Sequence, residues 1–303
     1  MTAMAQRIVT KRLSRQELST LFRDGEPPVI LMSGLHNDQH AFVVISMVER
    51  VYGMTGALAV GDEVFRGKEI IELYDRLTIK GSVPFWQIDA LLPQVMVPVF
   101  DAYVNLRTDV PDGKFKAFPI DIGPDDSGYK AVMKNIRVLS RPVIGDNCAN
   151  HTLEYMIPEM SRTIVAAIEA AAVRNPIMAR NINDILIPTG LPVFVSVGVG
   201  NASYLEEHIN SDRVISVVNP ESMAYRSLEL RAEEAASKGK QTKADRFAVA
   251  QFKLYNFALV HRSLRYRGEV EKASTMSELE GIRRDMVNGG LIGRPPPAVT
   301  FAK

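Results

Sequence analysis

Residues 191–199 read Leu-Pro-Val-Phe-Val-Ser-Val-Gly-Val, an apolar run with none of the polar alternation that marks a half-exposed strand. A β-rich run of that kind suits a strand buried on both faces, and Val-Ile-Ser-Val-Val at 214–218 suits a second one. Two such strands oblige the rest of the chain to supply cover on both sides. The chain is long enough to do so: a compact fold of 303 residues buries about three quarters of its unfolded surface. With 46% hydrophobic and 23% charged residues, the composition is that of a globular protein and excludes wholesale disorder.

The cover is expected from helices. At residues 14–22, Ser14 stands three positions before Glu17, the spacing of a capping box, and Pro27 and Pro28 stop the helix that follows. Residues 29–32 suit a short strand, and Asn37 or Asp38 would cap a helix running to Tyr52, with Gly53 as its terminator. Apolar spacing predicts another helix over 68–77, after which prolines at 84, 93 and 98 interrupt the chain. The longest helix is expected over 152–174, with an apolar stripe from Leu153 to Ile168 and Pro158 near its start. Further helices are predicted over 204–209, 221–237 and 242–266.

Residues 114–122 and 129–139 flank the polar turn Gly-Pro-Asp-Asp-Ser-Gly and predict a β-arm of two strands. The glycine pair and triple proline within 289–303 predict an extended C-terminal arm. The expected class is therefore α+β: mixed helices and short strands with a β-arm, one long central helix and a C-terminal arm. Polar residues at 146–150 place an expected boundary between a β-rich region, 1–148, and a helical region with a small buried sheet, 149–303.

The single cysteine, Cys148, cannot form an internal disulfide and fits a reducing compartment. Basic residues within 1–12 are followed by no apolar segment of a secretory signal, and the longest apolar runs fall far short of the roughly 20 residues of a membrane span. These features predict a cytoplasmic protein, in a host cytoplasm or virion if viral, with no membrane partner.

A formal charge of +1 argues against a chain-wide nucleic-acid surface. Locally, Arg262, Arg265, Arg267, Arg283 and Arg284 concentrate positive charge that would suit phosphate contacts, with Glu269, Glu271, Glu278 and Glu280 near enough in sequence to pair with them. His36 and His40 have the four-residue spacing of two helical metal ligands, but a third is missing, and no metal is expected. Gly61 to Lys68 fails as a phosphate loop because its second glycine comes late and Glu69 replaces the hydroxyl residue. Cys148 and His151 form no nucleophile pattern, so no catalytic residue is assigned.

Strand, glycine-rich turn, short helix and strand over 193–221 have the parts of a nucleotide-binding β-α-β unit. Gly198, Gly200 and Ala202 resemble the first motif of S-adenosylmethionine-dependent methyltransferases, and the resemblance implies a cofactor contact there and at Asn219. Asn219-Pro220 stands where that family has a carboxylate. Ala258–Ser263 resembles a short ribonuclease III signature, without the acidic segment that follows it in that family. The arm, long helix and apolar strands in succession resemble the coat fold of tailed phages. The leading expectation is a self-assembling structural subunit of the capsid or nucleocapsid kind, without a cofactor, whose partners are copies of itself and RNA or DNA. The alternative is a methyltransferase-like enzyme using residues 198–202.

Overall fold

The computed structural model describes residues 6–10, 13–22, 28–35, 38–66, 114–139, 144 and 151–292; for 38–42 and 45 only the backbone is described. Its strands are β1 (Gln6–Val9), β2 (Val29–Gly34), β3 (Leu58–Asp62), β4 (Phe115–Pro119), β5 (Val193–Gly198) and β6 (Val214–Val218). They form one parallel sheet in the order β1-β6-β2-β5-β3-β4. The helices are α1 (Arg15–Leu21), α2 (Asp38–Thr55), α3 (Tyr129–Leu139), α4 (Leu153–Asn181), α5 (Val199–His208), α6 (Pro220–Ala236), α7 (Lys243–Val260), α8 (Leu264–Lys272) and α9 (Met276–Asn288). The mixed α and β class expected from sequence is the class observed.

The chain divides into two compact units. The first comprises Met1–Tyr129 and Ala172–Ser222, and the second Lys130–Ala171 and Met223–Lys303. The division therefore crosses the chain three times, whereas the sequence suggested one cut after residue 148.

In the first unit every residue of β2, β3, β5 and β6 is buried, while edge strands β1 and β4 are partly exposed. Alternate strand residues serve opposite layers. Ile30, Met32, Val60, Phe194 and Val217 pack with Leu18 of α1 and Val44, Met47 and Val51 of α2. Leu31, Ala59, Val195 and Val197 instead meet Met178 of α4, Leu205 of α5, and Ile182 and Leu186 of a π turn. Strand order explains the two layers: from β1 to β4 the chain advances across the sheet, and from β4 to β6 it returns. Right-handed crossovers send the outward and return connections to opposite faces.

As expected, Ser14 and Glu17 form a reciprocal capping box; Thr242 and Asp245, not picked out from the sequence, form another at α7. Helix α2 runs through Gly53, and it is Gly56, at φ 68°, that adopts the left-handed conformation after its end. Helix α4 continues through Pro176 to Asn181 and is followed by a π turn, Ile182–Leu186, a 3-10 turn, Ile187–Thr189, and left-handed Gly190.

The β-arm is not formed. Residues 115–119 are a strand, but 129–139 are helix α3 rather than its hairpin partner. The intervening loop folds on Asp126, whose carboxylate accepts the Gly123 N–H at 2.7 Å. Val132 is buried and Ile136 follows it by four residues, the period of a helix and not of a strand. The predicted helix over 242–266 is also two helices, separated where Arg262 takes φ 56° and Ser263 caps α8. The predicted helix at 68–77 and the C-terminal arm beyond residue 292 lie outside the described residues.

In the second unit, α4 up to Ala171 and helices α6–α9 share a core containing Met160, Ile164, Leu228, Ala232, Leu254, Ala258, Leu279 and Met286. No helix among the described residues is long and apolar enough to cross a membrane.

Candidate functional site at the carboxyl edge of the sheet

Strands β3 and β5 are neighbours, yet the chain leaves them in opposite directions: from β3 toward the β4 edge, and from β5 through α5 toward β6. In open parallel sheets such a divergence opens a crevice beyond the carboxyl ends of the strands. The residues emerging there are charged. Glu63 follows β3 and Asp121 follows β4 by two residues; both are buried, Asp121 completely.

Arg174 of α4 joins the two carboxylates. Its Nη2 lies 2.6 Å from Glu63 Oε1 and 2.5 Å from Asp121 Oδ2, and its Nε is 3.0 Å from each Asp121 oxygen. Glu63 also accepts the Gly198 N–H through Oε2 at 2.6 Å and the Asn201 amide through Oε1 at 2.8 Å. The start of α5, where exposed N–H groups and the helix dipole favour an anion, therefore holds a carboxylate of the chain itself. Beside this group, Asp126 binds Arg66 and Arg180 at 2.5 and 2.6 Å, while Arg66 Nε donates to the Asp121 carbonyl.

Burial pushes the Asp121 carboxyl above its ordinary value; Arg174 opposes this and Glu63 adds to it. For Arg174, burial works against the charge but is outweighed by Glu63 and Asp121, which hold the guanidinium more firmly protonated. Two carboxylates thus share one guanidinium. At the tip of β2, the fully buried Ser33 Oγ finds no hydrogen-bond partner among the described residues. No three His, Cys, Asp or Glu side chains among those residues come together as a metal-binding group.

Gly198 is the N-cap of α5 in extended conformation, with Gly200 in the first turn. Ala202 packs into the core with Leu205, and Asn219 Oδ1 accepts the Glu221 N–H at the start of α6. Strand β2 lies between β5 and β6, so the tips carrying Gly198 and Asn219 are not neighbours.

Among the arginines, Arg262, Arg265 and Arg284 are exposed, Arg267 is half-buried and Arg283 is buried. Arg265 pairs with Glu269 at 2.8 Å, and Arg283 pairs with Glu280 through Nε and Nη2 at 2.8 and 2.6 Å. His261 ends α7 and packs on Phe257, with burial holding its imidazole below the ordinary range. His36, Lys68 and Cys148 lie outside the described residues, as do the side chain of His40 and any metal pairing between His36 and His40.

Sequence reasoning missed Glu63, Asp121, Arg174 and Asn201 because they are far apart along the chain. The available signal was acidic residues directly after short apolar runs: Asp62-Glu63 after 57–60 and Asp121 after 117–120. No protein-family model, curated protein or solved structure matches the chain.

Proposed function

We propose that this chain is an enzyme that binds a small polar substrate at the carboxyl edge of its parallel sheet, in the crevice between the tips of β3 and β5. The observation that carries this reading is the buried Glu63–Arg174–Asp121 group at the point where the strand connections diverge. Two buried carboxylates on one guanidinium are chemistry suited to proton transfer, with Arg174 orienting both members. Asn201 and the Gly198 N–H fix the second oxygen-bearing end of the arrangement by holding Glu63.

The test is a thermal-shift and calorimetric screen of sugars, amines, sugar phosphates, nucleotides and S-adenosylmethionine against the full chain and Asn201→Ala. A ligand that raises the melting temperature of the parent, and binds at least tenfold more weakly to the variant, is the expected result. No ligand in any class, or binding indifferent to Asn201, overturns the assignment. A response to S-adenosylmethionine alone would return the methyltransferase-like reading of residues 198–202 to first place.

A self-assembling subunit is a second reading, supported by the apolar surface of the second unit. Leu264 is 73% exposed, Tyr155 68% and Val260 51%. Light scattering at several concentrations and two salt strengths, with absorbance at nucleic-acid wavelengths, tests it. Large particles would support a coat or nucleocapsid role, and a nucleic-acid-free monomer would remove it.

A further inference from the structure

Helix α3, Tyr-Lys-Ala-Val-Met-Lys-Asn-Ile-Arg-Val-Leu, carries three cations and no acid. Lys130, Lys134 and Arg137 stand at i, i+4 and i+7, which places them in one stripe along the helix, and all three are exposed. Among the described residues none of them forms an ion pair. The opposite side of α3 is committed within the second unit: Val132 is buried, Ile136 is half-buried, and the Asn135 amide donates to Glu169 of α4 at 3.1 Å.

The stripe works against the helix that bears it. Lys130 lies in the first turn, where the helix dipole disfavours a cation and no acid stands beside it. Lys130 and Lys134 are a like-charge pair one turn apart, Lys134 and Arg137 are a second, and such pairs weaken a helix. Only Arg137, in the last turn, sits where the dipole favours it. The arginines of 262–284 differ, because acids of the same segment engage them: Glu269 pairs with Arg265, and Glu280 with Arg283.

We propose that the Lys130–Lys134–Arg137 stripe is a docking face for the phosphodiester backbone of a nucleic acid. Along the helix axis the three cations span about 10 Å, roughly three steps of about 3.4 Å along one strand of a duplex. The lysines supply point charges, and Arg137 supplies a planar fork that takes two oxygens of one phosphate. Such contacts position a strand without reading its bases. An anionic membrane fits the helix less well, because a helix lying on lipid inserts its apolar face, and the apolar face of α3 is turned inward at Val132 and Ile136. No residue of the sheet-edge group takes part.

The experiment follows fluorescence anisotropy of a labelled DNA duplex of about 20 base pairs, or a single-stranded RNA of about 20 nucleotides, with the full chain between about 50 and 200 mM salt. Three phosphate contacts give a log–log salt slope of about −2.7 on the duplex and about −2.1 on the single strand, so affinity should fall roughly fortyfold and roughly twentyfold across that range. The triple variant Lys130→Gln/Lys134→Gln/Arg137→Gln should bind at least about tenfold more weakly at low salt and flatten the slope by about 2, with an unchanged circular dichroism spectrum. Lys240→Gln/Lys243→Gln, which removes exposed cations elsewhere, should bind like the parent. No binding at low salt, or a triple variant with the parent's affinity and slope, overturns the proposal. So does binding to phosphatidylserine vesicles without binding to either nucleic acid, which would assign the stripe to a membrane surface. Loss of binding in Arg262→Gln/Arg265→Gln/Arg284→Gln, with none in the α3 variant, overturns it in favour of those arginines.

Discussion

Replacing Arg174 by Met removes a cation shared by two buried carboxylates while keeping much of the side chain's apolar volume. Asp121 keeps the Ile122 N–H, and Glu63 keeps Gly198 and Asn201, so hydrogen bonding is reduced rather than abolished. The shared positive charge is nevertheless lost, and breaking a buried ion pair from one side costs roughly 3 to 5 kcal/mol. For a unit of this size that corresponds to a fall in melting temperature of roughly 6 to 20 °C. The pH dependence has a definite sign. Asp121 is already held above its ordinary 3.8, chiefly by burial, so its contribution is full below that value and lost as pH rises through the higher folded value. Without Arg174 the shift grows, and the variant should be least impaired near pH 5 and most impaired near pH 8. Urea unfolding at both pH values measures this, and adding Asp121→Asn should recover part of the loss through a coupling of at least about 1 kcal/mol. A loss under about 1 kcal/mol at both pH values, with additive double-variant behaviour, would show that the group is not an energetically coupled buried network.

Gly128, at φ 87°, would place an added Cβ 2.6 Å from Val173 Cγ1; Gly128→Ala should lower stability by about 2 kcal/mol through left-handed backbone strain and overpacking, measured by urea unfolding. Thr242→Ala removes the acceptor of the Asp245 N–H and should cost about 1 kcal/mol. The same capping box, with the Lys238 ammonium first, holds Asp245 down to about 2, so its stabilisation is present above the ordinary 3.8 and lost as pH falls toward 2. Melting curves between pH 2 and 6 should show that acid-dependent loss diminished in Lys238→Met.

Residues 191–199 and 214–218 were legible as buried strands because a strand covered on both faces leaves an unbroken apolar run, and β5 and β6 occupy those stretches. Their parallel arrangement was not legible, since an apolar run carries no information about its neighbour's direction. Strand β3 contains Gly61 in five residues, which weakened its pattern. An added Cβ there would lie 2.7 Å from Leu186 Cδ1 and 3.0 Å from Ile120 Cγ2, so the glycine serves close packing of the π turn against the sheet. The capping box of Ser14 and Glu17 was readable because its partners sit three residues apart. By contrast, Arg174 meets Asp121 across 53 positions and Glu63 across 111, contacts created only by the parallel crossovers.

Stability alone gives little reason to bury this group. Removing two carboxylates and a guanidinium from water costs several kcal/mol per ion, and apolar replacements of similar volume are often neutral or stabilising. Packing needs no charge there either, because the adjoining layer is already filled by Ile120, Met178 and Leu186. The cost falls at the edge where β3 and β5 send the chain apart, while the buried strand interiors remain mostly apolar. Glu63 also takes the Gly198 N–H, displacing the external anion that a helix start would otherwise favour. On the proposed reading, this would favour substrates that donate hydrogen bonds to a carboxylate over substrates that bring a phosphate, tying the chemistry proposed for Glu63 and Asp121 to the topology that assembles them.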